Sequence, residues 1–318
     1  MEKVSVIIPV YNAALTIERC VDSLLCNTYP SIEIILVDDC SKDESLRICE
    51  MIALKYNDAH IIVCHNSQNS GVSYTRNVGL KCATGHFFCF VDSDDWVEDT
   101  YIETLVAAVT DQRSDIALCG FINHDEKFNA STESYLPVAQ GKEEIFTIGS
   151  VLINLYHSRL LQQLWNKIFL ADLIRKNNIL FDESISMGED FRFVLEYLHI
   201  LGSNAKIALV GQSLYHYIRD NANSLMSRFG KDSIQEPVKN LESMIDLLPE
   251  NEIHRQQVFI AEKEVIIEQY TYHLIHNSSY SIAEKWRIYK TFQSKINQKL
   301  FFRMYAILIK EGIRKFIS

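Results

Sequence analysis

The sequence predicts an α/β fold built on a mostly parallel sheet flanked by helices, and two observations lead to this prediction. Over the first 120 residues, short apolar runs alternate with stretches whose apolar residues recur at helical spacing. Strands that are regularly separated by helices form parallel sheets that are covered on both faces. The chain of 318 residues is also 47% hydrophobic, which is enough to bury a large core.

The predicted elements of this region follow one another in a regular order. Each predicted strand is a short run rich in Val, Ile or Phe, and each predicted helix is an amphipathic stretch between two such runs. The strands are VSVIIPV (4–10), EIILVDD (33–39), HIIVCHN (60–66) and HFFCFVD (86–92), and the helices cover residues 14–26, 41–56, 73–83 and 99–110. The second helix opens with Ser41 and Glu44, the spacing of a capping box.

The rest of the chain carries a weaker pattern. Residues 123–144 are polar and predict a loop, whereas residues 144–157 predict a helix. Beyond Phe229 the pattern is helical to the end of the sequence. We therefore expect an α/β domain over residues 1–228 and a helical C-terminal region over residues 229–318.

Polar residues collect where the predicted strands end. They are Pro9, Tyr11 and Asn12 after the first strand, Asp38 and Asp39 after the second, Asn66 after the third, and Asp92, Asp94 and Asp95 after the fourth. Ligands of such sheets bind beyond the carboxyl ends of the strands. The sequence therefore predicts one crevice that gathers these side chains.

The acids after the fourth strand need compensation, because Asp92, Asp94 and Asp95 follow a run with the character of a protein interior. Crowded carboxylates repel one another and lose hydration, so bulk water or a bound cation must offset their charge. The sequence contains neither G-x-G-x-x-G after its first strand nor G-x-x-x-x-G-K, the glycine-rich cradles for phosphate. Three carboxylates on one loop suit Mg²⁺ or Mn²⁺. The plainer alternative is a solvated turn in which Asp94 or Asp95 caps a helix.

The composition argues against several classes of protein. A net charge of -10 disfavours a general nucleic-acid binder. All eight cysteines lie between Cys20 and Cys119 without a Cys-x-x-Cys pair, which favours reduced thiols in a cytosolic protein. The first apolar run ends at Pro9 and is too short for a signal segment or a membrane span, so we expect no export.

Six motifs, taken in order, resemble a known family. They are VSVIIPVYNA, IEIILVDDCSKDES, NSGVSYTRNVGL, ATGHFFCFVDSDDW, LWNKIF and MGEDFRF. Each is weak alone, but the order is highly specific. Through them, residues 4–228 resemble the family 2 glycosyltransferases of the GT-A type, inverting enzymes that move a sugar from a nucleotide-diphosphate donor to an acceptor hydroxyl. The resemblance implies the GT-A nucleotide-diphospho-sugar transferase fold, followed by a helical C-terminal extension.

The resemblance implies a site for the donor nucleotide. Asp39 matches the acid that accepts the N–H of the donor base, usually uracil. Pro9, Tyr11 and Asn12 match residues that line the same pocket. The implied donor is a UDP-sugar.

The resemblance also implies a diphosphate and metal site. Arg76 and Asn77 match residues on the diphosphate side, and Gly71 permits a close turn beneath it. The residues implied for ribose and metal are Asp92, Ser93 and Asp94 of the Asp-x-Asp motif, with Asp95 and His216 as further candidate metal ligands, and Arg228 as an alternative to His216 for reaching the diphosphate. The implied cofactor is Mn²⁺ or Mg²⁺.

The catalytic base implied by the resemblance is Asp190, with Glu189 beside it. Asp190 would deprotonate the acceptor hydroxyl while it attacks the anomeric carbon from the face opposite the leaving nucleotide. Trp165, Asn166 and Lys167 match a segment often found near the acceptor and the diphosphate in bacterial polysaccharide enzymes. The implied acceptor is a carbohydrate or lipid-linked oligosaccharide of capsule, O-antigen or exopolysaccharide synthesis.

Each assigned role has a plainer alternative. Asp39 is also suited to cap the helix after the second strand, and Asp190 to be a first-turn acid of its helix. His216, between two tyrosines, has the pattern of a packed strand residue, while Trp165 has that of a core residue and Lys167 that of a surface cation.

Two other protein classes were compared with the sequence, and a feature of the sequence disfavours each. A receiver-type signalling domain gathers acids and Mg²⁺ at strand ends, but it needs paired acids after its first strand, where this chain has Pro-Val-Tyr-Asn. A non-catalytic relative that only binds sugar nucleotides or acts as a scaffold would lose the base or the metal acids, and this sequence keeps them.

The C-terminal segment from Lys285 has a charge pattern of its own. It carries nine Lys or Arg residues against one acid, Glu311, which gives +8 and leaves -18 for the rest of the chain. Residues 295–318 place apolar side chains near one helical face with bases at its margins, and their apolar run is too short to span a bilayer. We expect an interfacial helix on the inner face of the cytoplasmic membrane. The alternative is a helix that packs on the acidic domain.

We expect the intact chain to co-sediment with anionic vesicles at low salt and a version ending near Lys295 to bind less, because each base near an anionic surface contributes about 1 kcal/mol. Neutral vesicles at the same salt concentration are the control. Equally weak binding of both versions to the anionic vesicles would show that the tail is structural.

Overall fold

One mixed sheet forms the centre of the first of two units, Met1–Ala222 and Asn223–Ser318. The computed structural model describes residues 1–57, 59–125, 130–134, 138–185, 187–219, 235–249, 252–276 and 281. The strands are β1 (Val4–Val10), β2 (Ile32–Asp38), β3 (His60–His65), β4 (Phe87–Phe90), β5 (Trp96–Val97), β6 (Ile116–Asp125), β7 (Ala130–Glu133), β8 (Glu143–Thr147), β9 (Lys167–Leu170) and β10 (Lys206–Arg219). The helices of this unit are α1 (Ile17–Leu25), α2 (Ser45–Lys55), α3 (Val72–Cys82), α4 (Tyr101–Thr110), α5 (Ile148–His157), α6 (Ala171–Asn177) and α7 (Glu189–Leu201).

The first half of the sheet has the predicted parallel arrangement. Its strands lie in the order β3-β2-β1-β4, and every neighbouring pair is parallel. The apolar runs that predicted the inner strands are buried, and β4 is buried along its whole length. The predicted α/β fold, with a central sheet flanked by helices, is confirmed.

The second half of the sheet is mixed, which the sequence did not predict. β9 pairs antiparallel with both β4 and β6, while β10 pairs parallel with β6 and antiparallel with β5 and β8. The prediction of a loop over residues 123–144 is wrong for the part that the structure describes. That part contains the end of β6, all of β7 and the start of β8. The sequence of β7, ASTE, has no alternation of apolar and polar residues that would predict a strand, and all four of its residues are exposed.

The predicted capping box at the second helix is also wrong. α2 begins at Ser45, and its N-terminus has no side-chain cap. The hydroxyl oxygen of Ser41 instead accepts a hydrogen bond from the backbone N–H of Asn12 at 3.0 Å, and that of Ser45 accepts one from the N–H of Ala13 at 2.7 Å. Both serines therefore hold the segment after β1 against the segment after β2, at the edge where the candidate site residues lie.

α3 packs closely on the sheet because of a glycine. A Cβ atom at Gly79 would lie 2.4 Å from the Cγ2 of Ile7 in β1, so a larger residue would push the helix outward. The same helix carries Arg76 and Asn77, which are both buried. The short distance between α3 and β1 at Gly79 therefore helps to place Arg76 and Asn77 close to the sheet.

A buried carboxylate fastens the amino end of the parallel strands. Glu33, on β2, has no exposed side-chain area, and its oxygens accept hydrogen bonds from the hydroxyl of Ser5 at 2.6 Å and from the N–H and hydroxyl of Thr84, both at 2.8 Å. The amine of Lys3 lies 3.6 Å away, and the Nε2 atom of His60 lies 3.0 Å away. Burial by itself would raise the pKa of Glu33, but these hydrogen bonds and Lys3 outweigh it and lower the pKa.

The second unit contains α8 (Gln235–Asp246) and α9 (Glu252–His276). The buried side chains of Leu241, Met244 and Ile245 lie on α8. None of the described helices combines the length and the apolar character that crossing a bilayer requires. The predicted interfacial helix at 295–318 lies outside the described residues, so the helical extension to the end of the chain stays a prediction.

We expect Glu33→Gln to lower the free energy of unfolding at pH 7 by about 2 kcal/mol, because an amide cannot accept all of the hydrogen bonds that a carboxylate accepts. The pKa of Glu33 is lowered by folding, so its contribution is present above its ordinary pKa of about 4.3 and is lost as the pH falls through the folded-state value. The difference between variant and parent should therefore shrink below about pH 4. Urea unfolding at several pH values measures it. Glu50→Gln, on the exposed side of α2, is the matched control and should change stability by less than about 0.5 kcal/mol.

Candidate active site

Asp39 organises the loop that leads into α3. Its side chain is buried at the end of β2, where Oδ1 accepts hydrogen bonds from the amide of Asn66 and the N–H of Ser70, both at 2.9 Å. Oδ2 accepts one from the N–H of Gly71 at 2.8 Å. Gly71 has a φ of 88°, a conformation that favours glycine. Asp39 therefore does not cap α2, and its carboxylate is held in one orientation.

The residues after β1 lie beside this loop because β1 and β2 are parallel neighbours. Asn12 accepts a hydrogen bond from the N–H of Lys42 at 2.8 Å through its Oδ1 atom. Tyr11 is 43% exposed, and Pro9 is half-buried within β1. The structure thus presents an exposed aromatic ring and a fixed amide at the same edge as Asp39.

Asp95 anchors the acidic loop from the inside. Its side chain is fully buried, with Oδ2 accepting a hydrogen bond from the hydroxyl of Tyr215 and Oδ1 accepting one from the N–H of Ile218, both at 2.7 Å. Burial, reinforced by the charges of Asp94 and Asp92, raises the pKa of Asp95 despite these two hydrogen bonds. Both oxygens of Asp95 thus have partners within the fold, and its role as a further metal ligand stays a prediction.

Asp92 and Asp94 are the acids of this loop that reach solvent. The side chain of Asp92 is 28% exposed and contacts Arg76 through Oδ1, while no described residue hydrogen-bonds its Oδ2. Asp94 is exposed, and its backbone oxygen accepts a hydrogen bond from Arg19 at 2.5 Å. Ser93, between them, is half-buried. The Asp-x-Asp motif thus has one acid tied to the protein interior and one at the surface.

Arg76 joins this loop to the start of α7. Its guanidinium is almost fully buried and lies 3.0 Å from Asp92, 2.5 Å from Asp190 and 3.6 Å from Glu189. Burial disfavours the charge of Arg76, but Asp190, Asp92 and Glu189 outweigh burial and raise its pKa. Arg76 is therefore a permanent cation shared by three carboxylates; we call these four residues the Arg76 cluster.

The charges of the Arg76 cluster change the pKa of Asp190. It lies in the first turn of α7, after Gly188 with a φ of 81°, and its side chain is 22% exposed. Burial raises the pKa of Asp190, Arg76 acts in the opposite sense, and the neighbouring charges of Glu189 and Asp92 raise it further, to about 8. One guanidinium cannot neutralise three carboxylates, so a proton on Asp190 relieves the repulsion. Asp190 is both a first-turn acid and a carboxyl able to exchange a proton near neutral pH.

The family assignment follows from a comparison with known sequences. A family described as glycosyl transferase family 2 matches residues 5–179, which is more than half of the chain. The chain belongs to glycosyl transferase family 2. It is 35% identical over 225 residues to a protein named uncharacterized glycosyltransferase EpsJ, from Bacillus subtilis (strain 168); the match covers 70% of this chain and 62% of EpsJ. The chain thus spans about three fifths of this relative.

Solved structures of other glycosyltransferases have a similar fold. The crystal structure of S. aureus TarS 1–349 is 27% identical, with a TM-score of 0.60 over 81% of this chain and 69% of that one. Its complex with UDP-GlcNAc is 23% identical, with a TM-score of 0.64 over 97% and 81%. The mannosyltransferase PcManGT from Pyrobaculum calidifontis, in complex with GDP-Man and Mn²⁺, is 14% identical, with a TM-score of 0.56 over 98% and 86%. These similarities confirm the predicted GT-A fold.

Asn77, the family-motif residue next to Arg76, has a structural position. Its amide nitrogen donates to the backbone oxygen of Phe181 at 2.9 Å and to Glu183 at 3.0 Å, and its oxygen accepts from the N–H of Phe181 at 2.8 Å. The polar atoms of Asn77 hold the segment before α7, and its diphosphate contact stays a prediction. Phe181, which the sequence analysis missed, stacks on Phe193 at 4.2 Å and lies 5.4 Å from the Arg76 guanidinium. Nothing in its local sequence marks it.

Trp165 also acts through other residues. Its ring is buried and stacks on Tyr215 at 4.2 Å. The Tyr215 hydroxyl bonds Asp95 and accepts a hydrogen bond from the backbone N–H of Asp92 at 3.1 Å. Trp165 thus has the packed position of the plainer alternative, and it supports the tyrosine that holds the acidic loop.

Lys167 is fully buried, so the plainer alternative of a surface cation is wrong. Its amine has no exposed area and donates to the backbone oxygen of Leu160 and the side-chain oxygen of Asn166, both at 2.7 Å, and also to the backbone oxygen of Gln163. Burial lowers the pKa of Lys167 to about 7. Asn166 is equally buried. The polar groups of this pair are used within the fold, and its substrate-side role stays a prediction.

His216 lies in an aromatic stack, beside Glu98. Its Nε2 atom lies 2.7 Å from Glu98, its Nδ1 atom lies 2.9 Å from the Nε2 of His124, and its ring stacks on Trp96 at 4.7 Å. His216 thus has the position of a packed strand residue with partners at both nitrogens, and its metal-ligand role stays a prediction. Arg228, its alternative, lies outside the described residues.

The described residues do not form a complete protein cage for a metal. Within them, no group of three or more His, Cys, Asp or Glu side chains is arranged to hold an ion. Asp92 and Asp94 still offer the hard oxygen donors that Mg²⁺ and Mn²⁺ take. Mg²⁺ is commonly held by one or two carboxylates together with substrate phosphates. The donor set therefore fits a cation whose remaining ligands come from the substrate and from water.

Proposed function

We propose that this chain is an inverting glycosyltransferase that moves a sugar from a nucleotide-diphosphate donor to an acceptor hydroxyl. The observation that carries the proposal is the Arg76 cluster, in which one buried guanidinium joins the Asp-x-Asp acid Asp92 to Asp190 and Glu189. Membership of glycosyl transferase family 2 supports it, as does the naming of the relative EpsJ as a glycosyltransferase.

Asp190 is the proposed catalytic base. A base works best when its pKa lies near the operating pH, and the pKa of Asp190 is about 8. It takes the acceptor's hydroxyl proton while the oxygen attacks the anomeric carbon from the face opposite the leaving nucleoside diphosphate, so that the centre is inverted in one displacement. Arg76 holds the carboxyl by Oδ1, and Glu189 raises its basicity.

Asp39 is the proposed acceptor for the N–H of the donor base. Three hydrogen bonds fix its carboxylate before the donor arrives, which lowers the entropic cost of binding. The exposed ring of Tyr11 offers a stacking surface beside it, with Pro9 and Asn12 completing the pocket. Uracil is the proposed base, which the crystal structure of TarS with UDP-GlcNAc supports by similarity.

A divalent cation is the proposed cofactor, Mn²⁺ or Mg²⁺, held by Asp92 and Asp94, with Ser93 on the ribose side. When bound, it would supply positive charge against the departing diphosphate. Within the described residues, the two buried cations of the region have partners in the fold: Arg76 contacts three carboxylates, and Lys167 donates to oxygens of the fold. PcManGT, solved with Mn²⁺, supports the assignment by similarity of fold.

The finer proposals concern the acceptor and the domains. The acceptor is a lipid-linked oligosaccharide of polysaccharide biosynthesis, handled by a catalytic domain over residues 1–228, while the basic tail of the region 229–318 contacts the membrane surface. The alternative, a non-catalytic relative of the same fold, is separated by a simple assay. A transferase slowly releases UDP from its UDP-sugar donor in the presence of Mn²⁺, and a scaffold does not.

We expect Asp190→Asn to lower transfer by at least about a hundredfold with little change in UDP affinity, because the amide keeps the size of the side chain but cannot take the proton. Initial rates of UDP release with acceptor present, together with calorimetric titration of UDP, measure the two quantities. Asp172→Asn, at an exposed position of α6, is the matched control and should retain the parent rate. An unchanged rate in the Asp190 variant would move the base elsewhere, with Glu189 as the first candidate.

The pH dependence of kcat/KM tests the same assignment in the parent enzyme. Since the base acts in its deprotonated form, kcat/KM should rise with pH and level off above about pH 8. Glu189→Gln removes a neighbouring negative charge, so the pKa of Asp190 falls and the rise moves to lower pH. A profile that is identical in both proteins would contradict the coupling of these two acids.

We expect Asp94→Ala to abolish activity without unfolding the chain, because its carboxylate lies at the surface of the loop and is a proposed cation ligand. Asp99→Ala, another exposed acid close in the chain, is the control and should keep activity. In the parent, Mn²⁺ should bind more tightly when UDP is present, because the protein offers only part of the coordination shell. Full parental activity in excess chelator would refute the metal requirement.

A further inference from the structure

Two cysteines face each other at the edge of the sheet. Cys64 lies on β3, the edge strand, and Cys82 is the last residue of α3. Their sulfur atoms are 3.3 Å apart, and both side chains are half-buried, so small reagents can reach them. Neither residue belongs to the candidate active site.

The contacts of these two sulfurs differ from those of other cysteines in the chain. The sulfurs of Cys20, Cys40 and Cys119 lie near backbone carbonyl oxygens. Within the described residues, the sulfurs of Cys64 and Cys82 have only each other as hydrogen-bond partner. A disulfide bond is about 2.05 Å long, so the two sulfurs need to approach by about 1.2 Å, which is on the scale of a side-chain rotation.

The segment between the two cysteines carries much of the candidate site. Cys64 and Cys82 are 18 positions apart in the sequence. Between them lie Asn66, Ser70 and Gly71, the hydrogen-bond partners of Asp39, followed by Arg76. A covalent link between the two ends would close this segment into a loop.

We propose that Cys64 and Cys82 form an oxidisable thiol pair that closes to a disulfide in the presence of a peroxide. One thiol attacks the peroxide and becomes a sulfenic acid, releasing one water; the second thiol then attacks that sulfur, the S–S bond forms and a second water leaves. Two thiols and one hydrogen peroxide thus give one disulfide and two waters. A dithiol reductant restores both thiols.

The environment of the pair makes the reaction slow. Burial, together with the neighbouring thiol of Cys82, raises the pKa of Cys64 to about 12, and the thiolate is the reactive form. The pair therefore responds to sustained oxidation and not to brief pulses. The bond stabilises the folded chain mainly by restricting the unfolded chain.

The test uses the full chain, treated with hydrogen peroxide and digested without reduction. We expect a linked pair of peptides that contains Cys64 and Cys82, lighter by two hydrogens than the sum of the separate peptides. The melting temperature should rise by roughly 5 °C or more and should return to its starting value with dithiothreitol.

Two variants and one control decide the origin of the shift. Cys64→Ser and Cys82→Ser should each lose the rise in melting temperature, whereas Cys26→Ser, at an exposed cysteine, should keep it. If both thiols still react with an alkylating reagent after prolonged treatment with excess peroxide, the proposal is overturned. It is overturned equally if the linked peptides join either cysteine to a different partner. Peptide mapping of the parent chain gives this answer even if a serine variant fails to fold.

Discussion

The candidate site depends on a single buried positive charge. Arg76 is the contact through which the acidic loop after β4 and the start of α7, far apart in the chain, are held within a few ångströms of each other. A buried guanidinium is tolerated only when carboxylates compensate it, and three carboxylates are tolerated only when a guanidinium lies between them. Each side of the cluster therefore requires the other. Losing Arg76 would leave three acids facing one another in a poorly hydrated space.

The parallel half of the fold could be predicted because its signals are local. Strands buried on both faces appear as continuous apolar runs, and β1, β2 and β4 have that pattern. The mixed half could not be predicted in the same way. β7 is exposed, β9 has only four residues, and the order of β6, β9 and β10 depends on pairings between segments distant in the sequence. Such pairings leave no periodic trace in either segment.

The candidate site shows the same division. The motifs pointed to Arg76, Asp92 and Asp190, and the structure brings these three together. The motifs also pointed to Asn77 and Lys167, whose polar atoms the structure uses to hold neighbouring backbone. A sequence shows that a polar side chain occurs in a motif, but it does not show whether the partner of that side chain is a ligand or a carbonyl group elsewhere in the fold. For Asn77 that partner, Phe181, is 104 positions away.

The Arg76 cluster has three carboxylates and one guanidinium, and its excess negative charge favours a bound proton on Asp190. Burial and the charges of Glu189 and Asp92 raise the pKa of Asp190 against the effect of Arg76, so this carboxyl favours binding a proton more than an ordinary aspartate does. A ligand that brings positive charge lowers that pKa and drives the proton into the buffer, while one that brings net negative charge draws a further fraction of a proton in. The heat of binding will therefore depend on the ionisation enthalpy of the buffer, and the sign of that dependence reports the net charge that has arrived beside Asp190.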